Sequence, residues 1–267
     1  IDAINEEILG VANEQLKAQG KKGLEVVVDN LDRIDPIRRA DGRSQSEYLF
    51  VDRGEQLKRL NCHVVYTIPL ALVFSDDLPR LSNRFGTAPK LLSMVPVATR
   101  MGEPFPRGRQ LLQKMVLARA FPTLGGHDRW AQINDIFDTP DTLNTLVAIS
   151  GGHMRNLMRL LYGCLQKGDP PITREMLNAV IRDERDALVA LIDTSEWQLL
   201  FEAIGGEADQ GNESYNPLLR SLFLYEYRDD DGRWFGLNPI LTETKRYRNW
   251  QRSGQKTGQK TGQANPA

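Results

Sequence analysis

The chain has 267 residues, 40% of them apolar and 26% charged, with a formal net charge of −1. That length carries one large domain or two smaller ones with a sizeable core, and the near-zero charge excludes a chain-wide polyanion-binding surface, so any nucleic-acid contact needs a local basic patch. No apolar run reaches the length of a membrane span and no signal peptide is visible. Cys62 and Cys164 lie far apart in unrelated contexts, which reads as two reduced thiols rather than a disulfide or metal site; a cytoplasmic protein is the expectation.

The sequence opens at Ile1 inside a helical pattern, Ile4, Ile8, Leu9, Val11, Ala12 and Leu16. The expectation is therefore a portion of a longer protein, with motifs upstream. Gly20 ends that helix. Leu24-Glu25-Val26-Val27-Val28, closed by Asp29, reads as a short buried strand of β-branched residues. Ser44–Leu60 reads as a helix capped by Ser44 or Ser46. His63–Ile68 is a second buried strand, ended by Pro69. Asp76–Phe85 is a short helix, and Lys90–Val97 is a third strand-like run. From there the period is helical: Gly108–Ala120, Trp130–Phe137, Leu143–Ile149, Met154–Leu165, Thr173–Leu191 and 195–205. Strands alternating with helices, then helices alone, predict a partial parallel α/β sheet followed by an all-helical domain.

Near the end, Phe223–Tyr227 and Arg233–Leu237 flank Asp230-Asp231-Gly232, a hairpin signal. Helices followed by a two-stranded ribbon predict a small winged-helix-like α+β module. The closing stretch repeats Thr/Ser-Gly-Gln-Lys, has no apolar residues to bury, and reads as disordered. It does not fit G-x-x-x-x-G-K-[ST], because Gln259 stands five residues after Gly254 where the second Gly belongs. The predicted organisation is 1–100, an α/β core; 101–192, a helical domain; 193–250, the helix and hairpin module; 251–267, the tail.

A carboxylate at the C-terminal end of a buried parallel strand sits at the ligand-binding edge of its sheet, and Asp29 stands at that place; in P-loop ATPases, which this segment resembles, such an Asp holds Mg²⁺ through water. The alternative is a strand-ending Asp that caps the next turn. Asp32 follows with Arg33 beside it, and its alternative is an ion pair with Arg33, Arg38 or Arg39. Thr67 ends the second strand one crossover later. Arg80 and Arg84 lie between the second and third strand-like runs and read as solvated surface arginines. Ser150-Gly151-Gly152 opens a helix with Arg155 on its first turn and Arg159 one turn on. The three histidines, His63, His127 and His153, have no partners at metal-ligand spacing.

The segment Asp29-Asn30-Leu31-Asp32-Arg33 resembles the Asp-x-x-Asp-Arg ending of Walker B strands in the KAP and STAND branches of AAA+-type P-loop ATPases. In that resemblance, which spans roughly residues 1–165, Thr67 matches sensor 1, Arg155 matches the sensor-2 arginine, and 101–192 matches the lid. The family implies ATP and Mg²⁺ as ligands, ATP hydrolysis, homo-oligomers, and an upstream phosphate-binding loop without which Asp29, Asn30, Thr67 and Arg155 have little to hold. The family usually places an acidic residue where Asn30 stands. Asn30 can orient a water but cannot accept its proton, so hydrolysis would be slow or would draw on Asp32. A non-hydrolysing nucleotide-binding or scaffold protein is the other reading. Lys245, Arg246, Arg248, Arg252, Lys256 and Lys260, interleaved with Tyr247 and Trp250, leave DNA or a partner protein as a possible ligand of the C-terminal module.

Overall fold

The computed structural model describes residues 1–34, 39, 40, 42–73, 75–205 and 213–261. The chain divides into two compact units, Ile1–Leu91 and Leu92–Ala267.

The first unit begins with one helical run, α1, residues 2–18, in which a π-type turn at Asn5–Gly10 separates Asp2–Ile4 from Val11–Ala18. Strand β1, Glu25–Val28, pairs in parallel with β2, His63–Tyr66, in the register Val26 to Val64 and Val28 to Tyr66. Between them run α2, residues 45–52, and α3, Gly54–Lys58. Ser44 starts α2 with a reciprocal cap: its hydroxyl accepts from the Glu47 amide at 3.2 Å, and its own amide donates to the Glu47 carboxylate at 2.7 Å. The predicted single helix breaks at Arg53, where Gly54 lets the Phe85 ring pack close: a Cβ there would lie 3.1 Å from it. Helices α4, Leu70–Val73, and α5, Leu78–Phe85, complete the unit.

Alternation puts Val26, Val28, Val64 and Tyr66 on one face of the sheet and Glu25, Val27, His63 and Val65 on the other. Tyr66 packs with Phe50, Val51, Leu72 and Leu81. The opposite face is bare: Val27 is 62% and Val65 47% exposed. The strands are therefore half-buried, not buried as their apolar runs suggest, because among the described residues this unit covers only one face.

The predicted third strand, 90–97, is not a strand of this sheet. Its later part belongs to the second unit, where the Met94 amide donates to the Glu226 carbonyl and the Val95 amide to the Gly152 carbonyl, both at 3.2 Å. Pro96 has no amide to offer a ladder. The Val97 carbonyl instead accepts from the Phe105 amide and from Arg109 Nε at 2.8 Å.

The second unit is helical around one core. Helix α6, Pro106–Ala120, leads to α7, Gly126–Ala131, α8, Pro140–Ile149, α9, Met154–Lys167, and α10, Arg174–Val189. Leu112, Val116, Phe137, Leu146, Leu157, Leu160 and Leu177 meet in its centre, and Ile240 from beyond the hairpin joins them. Residues predicted as a lid and as a hairpin module thus share this core. Helices α11, Thr194–Ile204, and α12, Asn216–Arg220, precede the antiparallel hairpin of β3, Leu224–Asp229, and β4, Gly232–Leu237. Its loop is Asp230-Asp231, with Gly232 at φ +104° as the tight turn requires. The helix before the hairpin has five residues and buries Leu218 and Leu219, so it offers no long face for a DNA groove. Helix α13, Pro239–Thr242, leads into α14, Lys245–Thr261. The tail read as disordered from 251 is helical as far as Thr261, continuing the ladder of a helix anchored by Trp250; residues 262–267 lie outside the described residues.

Glycine 108 tests the threading of residues 94–97. In a helix interior Gly→Ala ordinarily stabilises by up to about 1 kcal/mol, but a Cβ here would lie 1.7 Å from the Pro96 carbonyl oxygen. We expect Gly108→Ala to lower stability by about 1–3 kcal/mol. Gly126→Ala, with open space around it, should be neutral or slightly stabilising. Thermal unfolding of the two variants reads the difference.

Candidate functional site

The predicted site residues fall into two groups, one in each unit. In the first, the ends of β1 and β2 lie side by side: the Thr67 amide donates to the Val28 carbonyl at 3.1 Å. Asp29 and Thr67 therefore follow directly on paired strand ends, at the C-terminal edge of a parallel sheet. The chain leaves β1 sharply. Asn30 takes the left-handed conformation, φ +65°, which Asn tolerates better than most residues, and its amide donates to Asp29 Oδ1 at 2.7 Å. A turn at Leu31–Arg33 follows. Asp29 and Asn30 are exposed, whereas Asp32 is half-buried. The turn supports the capping reading of Asp29 through one carboxylate oxygen; Oδ2 accepts no hydrogen bond among the described residues.

Thr67 differs from its surroundings. Its hydroxyl oxygen is buried and has no hydrogen-bond partner among the described residues. An unsatisfied buried hydroxyl costs about 1–3 kcal/mol, so folds seldom keep one without use. The sequence marks Thr67 only by its place after β2; the isolation of its hydroxyl is a three-dimensional fact.

Arg80 and Arg84, on α5 after β2, are partly tied down. Arg80 pairs with Asp77 at 2.8 Å and approaches Asp52 at 3.9 Å, and Arg43 joins both acids at 2.8 and 2.9 Å. This network staples α5 to the end of α2, which favours a structural role for Arg80. Arg84 packs its side chain beside Gly54. Arg43 was not singled out from the sequence, since nothing local marks it; its acids lie 9 and 34 residues away. Arg38 lies outside the described residues.

In the second unit the Ser150-Gly151-Gly152 turn is an internal joint. Gly151 and Gly152 have φ of +63° and +78°. A Cβ on Gly152 would sit 1.7 Å from the Val95 carbonyl oxygen, and one on Gly151 would sit 2.5 Å from the Tyr225 ring. Buried Ser150 donates its hydroxyl to the Val147 carbonyl at 2.7 Å and accepts from the Gly152 amide at 3.2 Å. The Tyr227 hydroxyl donates to the Gly151 carbonyl at 2.8 Å. The glycines thus allow close packing within the unit. Burial pushes both tyrosine hydroxyls well above the usual phenol range, so they stay protonated donors.

Arg155 stands exposed on the first turn of α9, and Arg159 pairs with Glu184 at 2.8 Å while donating to Asn156 at 3.0 Å. His153 precedes them with a buried, unpartnered Nδ1. The structure thus brings Asp29, Asn30 and Thr67 to one strand edge, and Arg155 to a helix start in the other unit. Among the described residues no group of His, Cys, Asp and Glu is set to hold a metal ion by itself; a carboxylate acting on Mg²⁺ through water needs no such cluster. No helix among the described residues is long and apolar enough to cross a membrane.

Glu226 escaped the sequence reading because strand alternation gives no warning of it. Its carboxylate is buried beside β4, 3.6 Å from Arg228 Nε and 3.5 Å from Arg233 Nε. Arg100 grips the hairpin tip with two bonds to the Asp229 carboxylate, at 2.7 and 2.8 Å.

His153 gives the site a pH signature. Burial first, then Arg155 and Arg159, hold its imidazole below the usual value of 6.5. As pH falls through about 6.5 the unfolded chain takes up a proton that the folded chain refuses, so stability present above that pH is lost below it. We expect the melting temperature to drop more between about pH 7.5 and pH 5 for the unmodified chain than for His153→Asn. Parallel curves would assign the pH dependence elsewhere.

No family model matches the chain, and no curated protein matches it. Among solved structures, two variants of RuvB from Thermotoga maritima share 16% identity with it, each with a TM-score of 0.32. They match 87% and 86% of this chain and 91% and 90% of their own. The fold and site described above rest on this chain's own geometry.

Proposed function

We propose that the chain is part of a nucleotide-dependent switch or motor subunit of the AAA+/STAND kind. The observation that carries this reading is the juxtaposition of Asp29 with the unpartnered Thr67 hydroxyl at the C-terminal edge of two paired parallel strands. That edge is where open α/β sheets bind ligands. Asp29 would hold Mg²⁺ through water, Thr67 would donate to a phosphate oxygen, and Asn30 would orient a water. Arg155 would be the sensor-2 arginine by the sequence resemblance alone. Bound Mg²⁺ would offset the charge of the triphosphate.

The uncovered sheet supports the further proposal that a phosphate-binding loop comes from chain outside these 267 residues. Among the described residues no other strand pairs with β1 or β2, and Val27 and Val65 lie open. Parallel sheets are ordinarily covered on both faces. In a titration with a fluorescent ATP analogue we expect this chain alone to bind weakly or not at all, and micromolar binding would contradict the proposal. In the protein carrying the loop, Asp29→Ala should abolish phosphate release, and Thr67→Val should reduce it by about 10²-fold, the usual loss for one donor to transition-state charge.

Asn30 motivates a second reading, a nucleotide-holding scaffold that does not hydrolyse. Retained ATP binding with phosphate release no faster than background in the loop-bearing protein would select it.

A further inference from the structure

The last helix, α14, has two chemically different sides. Its aromatic side is used up within the unit. Trp250 stacks on Phe201 with ring centres 5.0 Å apart and planes 5° apart, and Tyr247 lies 5.7 Å from Trp250. The Arg246 guanidinium sits over the Trp197 ring at 5.5 Å. The rest of the helix is cationic. Lys245, Arg248 and Arg252 are exposed and follow one another at spacings of three and four, which puts them on one side. In sequence, Lys256 and Lys260 continue that spacing. The chain has no Asp or Glu after Glu243. Glu243 pairs with Arg248 at 3.3 Å, an ion pair about half exposed at both ends and therefore easily exchanged.

A row of cations with no acid among them needs a polyanion, and the buried side of the helix decides which. A membrane-surface helix must put its apolar side into the lipid boundary. Here Trp250 is stacked inside the protein, and the free side offers only charge and small polar groups such as Asn249 and Ser253. From Lys245 to Lys260 the helix rises about 22 Å, a length over which one strand of duplex DNA sets out about six phosphates.

We propose that α14 docks on the phosphate backbone of duplex DNA without reading its sequence. The five-residue α12 gives the hairpin no recognition helix, so positioning by α14 is the contact this unit can make. The proposal is independent of the nucleotide site, and its test uses no ATP.

The test is fluorescence anisotropy of the full 267-residue chain with a labelled mixed-sequence DNA duplex, across a salt series. We expect log affinity to fall against log salt with a slope of about −4, for four or five phosphate contacts. Combined charge reversal, Arg248→Glu, Arg252→Glu and Lys256→Glu, should weaken binding about ten-fold or more and flatten the slope by about three. Arg248→Lys with Arg252→Lys should keep both. The exposed positions of Arg248 and Arg252 leave the Trp250–Phe201 stack in place, so the melting temperature should not move and misfolding is distinguishable from lost contact. Three results would overturn the proposal: unchanged affinity and slope after charge reversal; binding to phosphatidylserine vesicles without binding to duplex DNA; and binding to poly-glutamate as tight as to DNA.

Discussion

Two consecutive left-handed residues, Gly151 and Gly152, set the arrangement of the second unit. At this one turn the backbone comes so close to its neighbours that no side chain fits. The turn's carbonyls are taken by the Val95 amide and the Tyr227 hydroxyl, and its inner side by buried Ser150. Three segments distant in sequence, 94–97, α8–α9 and β3, are fixed against one another there. The cost of left-handed backbone is lowest for glycine, so the joint holds without strain. Arg155 and Arg159 take their positions on α9 from this joint. A residue on the first turn of a helix moves with whatever moves the turn before it, and this gives Arg155 a mechanical link to β3 and its hairpin.

The first unit depends on a different constraint. A parallel sheet wants cover on both faces, and this one has cover on a single face. The side with Val26, Val28 and Tyr66 is half-buried, Tyr66 packing with Phe50, Leu72 and Leu81, whereas Val27 and Val65 face out. The strand edge bearing Asp29 and Thr67 is well formed even so, since it needs only the pairing of β1 with β2 and the turn at Asn30.

Much of this was legible in the sequence. The helical periods, the two strands and the hairpin with its Asp-Asp loop all follow from local patterns, because each element is specified by side chains close together along the chain. What the sequence could not disclose is pairing across distance. Residues 90–97 have strand-like composition, but the Met94 and Val95 amides are claimed by Glu226 and Gly152, 132 and 57 residues away. The glycines at 151 and 152 read from the sequence as a helix entry, whereas the closeness of Val95 and Tyr225 shows them holding elements of the unit together. The unsatisfied Thr67 hydroxyl and the buried Glu226 carboxylate belong to the same class of fact: burial of a particular atom is set by the whole fold. The low complexity of the closing stretch likewise gives no sign that the helix begun at Lys245, with Trp250 stacked on Phe201, runs to Thr261.

The brevity of β1 and β2 has a consequence for handling the protein. An open strand edge is a template on which other chains can polymerise, and a sheet with an uncovered face invites such growth. Each strand here has four residues, with Glu25 at one end of β1 and Asp29 just past the other. So short a ladder, bracketed by negative charge, gives an incoming strand few amides to satisfy before it meets repulsion.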